Sequence, residues 1–109
     1  MDETSGPVGT GTEVRYLPTP TVVAWGELDV ATVPGLEHAL ARLLESDGTG
    51  TIEIDLNGVT FIDSSGLGVL VAALKQSHGL GGQLVVRGLQ PAPRKVFEVT
   101  GLLDLFQAS

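Results

Sequence analysis

A repeated change of hydrophobic period constrains this chain more than any other feature. Runs in which apolar and polar residues alternate, or β-branched residues are continuous, give way to stretches where leucine and valine recur about every three to four residues. The first pattern suits strands, whose side chains point to two faces in turn; the second suits helices with one buried stripe. Glu13–Leu17 alternates as an edge strand would, and Thr21–Trp25 suits a more buried strand ending near Gly26-Glu27-Leu28-Asp29, with Trp25 in the core. A helix is predicted next. Thr32 is placed to cap it, Pro34 falls in its first turn, and Val33, Leu36, Leu40, Leu43 and Leu44 form its stripe.

After the turn residues Asp47-Gly48-Thr49-Gly50, the alternating Ile52, Ile54 and Leu56 mark a strand. Asn57-Gly58 is expected to bend the chain before Val59–Ile62 continues apolar toward Asp63. A second helix begins at Ser64 or Ser65, with Leu67, Leu70, Val71 and Leu74 facing the core, and stops at His78–Gly82. Leu84–Val86 is a short strand. A third helix spans about Pro91–Thr100, with Val96, Phe97 and Val99 inward, and Leu102–Phe106 is a final strand or short helix. Strands alternating with helices predict an α/β fold, a mostly parallel sheet with helices packed over it. Residues 1–11, rich in Gly, Thr and Ser and without hydrophobic period, are expected to be a flexible tail before one domain over 12–109.

A length of 109 residues suffices for one core and not for two. The formal charge of -7, from 13 acids against 6 bases, argues against nucleic-acid backbones and anionic membranes, both of which need clustered Lys and Arg. The acidity serves solubility and is compatible with a basic protein partner. With no cysteine, disulfides, thiol catalysis and thiolate metal sites are excluded. The acidic, polar start is unlike a secretory signal, and no run of about 18 apolar residues is present. A soluble, cytoplasmic protein is expected.

The most unusual stretch is Phe61-Ile62-Asp63-Ser64-Ser65-Gly66-Leu67-Gly68. It brings an acid and two hydroxyls to a helix start, where unpaired N–H groups and the helix dipole tolerate a phosphate. The two glycines are expected to keep that start open. Either serine is also an ordinary N-cap, although one cap suffices; Asp63 equally suits a cap or a charge beside the hydroxyl. Asp29 ends a strand before a helix, as Asp63 does, and Asp55 is either a third acid on that rim or a solvated residue. His38 and His78 lack the spacing of a metal pair or triad, the serines lie in no Gly-x-Ser-x-Gly elbow, and Gly79–Gly82 is no P-loop. No enzyme, cofactor or metal is expected.

Gly26–Thr32, Asp55–Gly68 and Phe97–Leu102 together resemble a STAS domain, and more narrowly the free-standing bacterial anti-sigma-factor antagonists, with similarity from about Thr12 to Phe106. The resemblance implies a mixed sheet of four to five strands flanked by helices, and a partner-switching role. Unphosphorylated, such a protein binds an anti-sigma factor that is itself a serine kinase and frees the sigma factor; phosphorylation by that kinase ends binding, and a serine phosphatase reverses it. The acceptor is the hydroxyl directly after the Asp, which is Ser64 here, with Ser65 as second choice. Asp29, Asp63, Ser65, Gly66 and Leu67 match the partner-binding surface. Two other readings are a STAS scaffold subunit of a transporter or lipid-trafficking complex, and a metal-dependent nucleotide-binding or phosphatase enzyme using Asp29, Asp55 and Asp63. The intact Asp-Ser-Ser-Gly opposes the first, and the lack of a phosphate-gripping Lys or Arg near the acids opposes the second.

Overall fold

The alternation of periods resolves, in a computed structural model that describes residues 9–108, into strands and helices in the expected order. The elements are β1 (Gly11–Arg15), β2 (Thr21–Leu28), α1 (Val33–Asp47), β3 (Thr51–Ile62), α2 (Ser64–Gly79), β4 (Gln83–Arg87), α3 (Pro91–Val99) and α4 (Leu102–Leu105). The strands form one sheet in the order β1-β2-β3-β4, with β1 antiparallel to β2 and the other pairs parallel. The expected tail over 1–11 lies outside the described residues up to position 8; Gly11 already opens β1, paired with Trp25. Among the described residues no helix is long and apolar enough to cross a membrane.

Asn57-Gly58 does not break β3. The strand runs through it and absorbs an extra residue at two places: Val23 pairs with Asp55 but Trp25 with Gly58, and Gly26 pairs with Val59 but Glu27 with Phe61. Such bulges keep the ladder going while re-aiming side chains. Their result here is that β2 and β3 finish together, with Leu28 opposite Ile62. Gly26 adopts φ 88° at this irregular stretch, a left-handed conformation suited to glycine.

One face of the sheet supplies Val22, Ala24, Ile52, Ile54, Leu56, Leu84 and Val86 to the core. Over it pack α1, burying Leu36, Ala39, Leu40, Leu43 and Leu44, and α2, burying Gly66, Leu70, Ala73, Leu74 and Ser77. Val33, Leu67 and Val71, expected in the stripes, are only half-buried. In α2 the small residues Gly66, Ala73 and Ser77 occupy the inward side, and they carry no hydrophobic signature to mark it. Trp25 also departs from expectation. By alternation with the buried Ala24 it points to the opposite face, half-buried, where Gly11 and Gly58 make room for it: a Cβ on Gly11 would lie 2.5 Å from the indole Cζ2. That outer face carries the ion pairs Arg15–Glu13 and Arg87–Glu53, at 2.9 and 3.0 Å.

The C-terminal apolar segment is the short helix α4, and Phe106 beyond it accepts a hydrogen bond from the Val86 N–H at 3.2 Å, tying the segment to β4. Phe97 of α3 meets Phe106 edge-on, with ring centroids 5.8 Å apart. Val99 is 71% exposed and not inward. At 3.6 residues per turn it stands about 200° around the helix from Phe97, so the two cannot share a face. In urea unfolding, Phe97→Ala is therefore expected to cost about 3–5 kcal/mol. Val99→Ala should stay within about 0.5 kcal/mol of the parent; equal losses would contradict this orientation of α3.

Candidate functional site

The carboxyl ends of β2 and β3 lie side by side, and each is followed by an aspartate that builds the start of the next helix. After β2, Asp29 Oδ1 accepts hydrogen bonds from the N–H groups of Ala31 and Thr32, at 3.0 and 3.2 Å. Thr32 stands at the N-cap position as expected, but its hydroxyl does not cap α1. It donates to the Glu27 carbonyl at 2.6 Å and accepts from the Asp29 N–H at 3.0 Å, closing the loop on itself. After β3, the Asp63 N–H donates to the Leu28 carbonyl at 3.1 Å, joining the two strand ends. Asp63 Oδ1 then accepts from Ser65 N–H at 2.9 Å and Gly66 N–H at 3.3 Å, and its carbonyl accepts from Leu67 N–H at 3.0 Å. Asp63 is thus the N-cap of α2, satisfying donors that the helix cannot satisfy itself.

This assignment separates the two serines. Ser64 is the first residue of α2 and is exposed; Ser65 is half-buried, with its N–H held by Asp63. Neither hydroxyl is needed as a cap. Gly66 is buried, and a Cβ there would lie 2.8 Å from Ile62 Cγ1 and 3.2 Å from Leu28 Cβ, so the helix start rests directly on the two strand ends. Around Gly68 there is open space. Of the two glycines expected to keep this region open, Gly66 alone serves close approach. Leu67 is half-buried against the core.

Asp29 and Asp63 therefore share one rim, while Asp55 does not join them. It sits on the outer face of β3, opposite Val23 and Arg87, with Oδ1 accepting from Asn57 N–H at 2.9 Å. Among the described residues no three His, Cys, Asp or Glu side chains are grouped to hold a metal. His38 and His78 are exposed, on α1 and at the end of α2. Two apolar residues at the rim were not among the expected site residues: Val30, 76% exposed in the loop after β2, and Phe61, 46% exposed. The signal for Phe61 is present, since its neighbour Ile62 is buried and adjacent strand residues face opposite ways.

A mixed four-stranded sheet of this order, with two helices packed over one face and Asp63 capping the second, defines a small α/β domain. The STAS domain family matches residues 18–109, and the chain belongs to that family. The anti-sigma-B factor antagonist of Staphylococcus aureus is 40% identical over 84 residues, 77% of each chain. The crystal structure of an anti-sigma factor antagonist from Mycobacterium paratuberculosis superposes with a TM-score of 0.75 at 31% identity, covering 95% of this chain and 88% of that one. The unphosphorylated antagonist SpoIIAA shares the fold, with a TM-score of 0.74 at 24% identity over 91% and 88% of the two chains.

Thermal or urea unfolding tests the geometry. Gly66→Ala should destabilise by about 1–3 kcal/mol through overpacking against Ile62. Gly68→Ala should stabilise by up to about 1 kcal/mol, because it replaces an unpacked helical glycine. Asp63→Ala should cost about 1 kcal/mol and Asp63→Asn much less, since asparagine caps as well; equal costs would remove Asp63 from the capping role.

Proposed function

We propose that this chain is an anti-sigma-factor antagonist of the cytoplasm, a regulatory binding protein and not an enzyme, whose partner binding is switched by phosphorylation of Ser64. The support is twofold: relatives at 40% and 31% identity carry that description, and the hydroxyl that follows the Asp of the motif is exposed at the first position of α2. That exposed position carries the reading. In the unmodified state the rim docks on an anti-sigma factor that is also a serine kinase, and a sigma factor is set free. The kinase then transfers phosphate: Ser64 Oγ bonds to the γ-phosphorus of ATP, the bond from that phosphorus to the β-phosphate bridging oxygen breaks, ADP leaves, and the hydroxyl proton passes to a base on the kinase. A serine phosphatase hydrolyses the ester and resets the switch.

The electrostatics suit such a device. The new group brings about two negative charges at pH 7. It arrives next to Asp63 and near Asp29, in an interface shaped for a neutral hydroxyl, so re-docking meets like-charge repulsion and the cost of stripping water from a dianion. The fold is spared, because the Ser64 hydroxyl is not the cap and the helix dipole favours an anion at this end. The transporter-scaffold reading has less support, since the two relatives named above at 40% and 31% identity are described as antagonists.

The cognate kinase with Mg-ATP is expected to label the parent protein and leave Ser64→Ala unlabelled, with mass spectrometry placing the phosphate on Ser64. Labelling that survives Ser64→Ala and disappears in Ser65→Ala would move the acceptor by one residue; no labelling of the parent would refute the switch.

A further inference from the structure

At the strand ends that lead to the rim, Val30 is 76% exposed and Phe61 46% exposed. Phe61 lies on the outer face of β3 opposite Glu27, one step from the ladder pair Leu28–Ile62, and Val30 projects from the loop that Asp29 folds. The strand ends carrying them are joined by the hydrogen bond from Asp63 N–H to the Leu28 carbonyl, so the pair belongs to the same rim as Ser64. Within positions 27–32 and 60–68 that rim has the acids Glu27, Asp29 and Asp63 and no Lys, Arg or His.

This combination points to one kind of partner. An enzyme that transfers phosphate from ATP gathers Lys, Arg and Mg²⁺ around the triphosphate, so the face that approaches Ser64 is cationic. The acids complement that face and speed encounter, but exposed charge pairs are screened by salt and contribute little residence. Residence comes from a few buried side chains, aromatic ones above all. Resting on the antagonist reading given above, we infer that Phe61 and Val30 are the anchors by which this protein docks on its serine kinase, each entering an apolar recess on the kinase's basic, ATP-bearing face. They set affinity and take no part in the phosphoryl transfer.

Steady-state phosphorylation by the purified cognate kinase with Mg-ATP tests this with Phe61→Ser, Val30→Ser and Val99→Ser, the last an exposed apolar residue on α3 that forms no part of the rim. Val30 and Val99 are largely exposed, so their variants should keep the parent's unfolding midpoint. Phe61 is about half covered in β3, so Phe61→Ser is expected to lower the midpoint while keeping one cooperative transition, and KM is read well below it. Phe61→Ser and Val30→Ser are each expected to raise KM about tenfold or more, with kcat within about twofold of the parent. Val99→Ser should leave both constants unchanged. If KM stays at the parent value in both rim variants while Ser64→Ala is unlabelled, the anchors are refuted and the phospho-switch stands. A fall in kcat at constant KM would also overturn the anchor role. Failure of the kinase to label the parent at all would overturn the antagonist reading, and this inference with it.

Discussion

The hydrogen bonds of Asp63 are the constraint on which the rest of the structure depends. Its N–H finishes the parallel ladder by meeting the Leu28 carbonyl, its carboxylate binds Ser65 and Gly66, and its carbonyl receives Leu67. One residue thereby ends a strand, begins a helix and fixes the angle between them. Buried Gly66 lets that helix settle directly on Ile62 and Leu28. Because the first free donors of α2 are met by the residue before it, the helix makes no demand on Ser64, whose side chain is left to solvent. At the neighbouring strand end Asp29 shapes the turn ahead of α1, its carboxylate accepting from the Ala31 and Thr32 N–H groups and its own N–H donating to the Thr32 hydroxyl.

Much of this was legible in the sequence, and the gaps have definite causes. Among the described residues the period changes located the four strands and the three longer helices, leaving Leu102–Phe106 open between strand and helix, and the proline and glycine punctuation placed most of their ends. What failed was the finer reading of direction. Phe97 and Val99 cannot face the same way on a helix, and counting apolar residues alone hid that. In α2 the inward side is lined partly by Ala73 and Ser77, so a stripe traced through Leu67 and Val71 came out rotated. Trp25 follows strict strand alternation outward, and its size suggested burial only because Gly11 and Gly58, which accommodate it, are remote in sequence. Asn57-Gly58 has the composition of a turn, yet the neighbouring strand holds it in a bulge, a tertiary effect that local chemistry does not report.

At the candidate site the structure assigns the capping among the residues that the sequence names. Ser and Asp are both good caps, and sequence gives no means of choosing when they are adjacent. The fold uses Asp63, which turns two neighbouring hydroxyls from an oddity into a consequence: neither is occupied by starting the helix. Asp29 and Asp63 likewise spend one carboxylate oxygen on backbone N–H groups, so their first contribution is to shape the rim, and their charge acts from fixed positions. Preorganised charge next to a free hydroxyl is what a phosphorylation switch requires, since the added dianion then meets repulsion that cannot relax away.

The central claim is that a phosphate on Ser64 abolishes docking and preserves the fold. Calorimetric titration of the anti-sigma factor with stoichiometrically Ser64-phosphorylated protein and with unmodified protein, alongside their thermal unfolding, tests it most directly. The account predicts affinity at least about a hundredfold weaker for the phosphorylated form with a closely similar unfolding midpoint. Equal affinities, or a phosphorylated protein that has lost its cooperative unfolding transition, would contradict it.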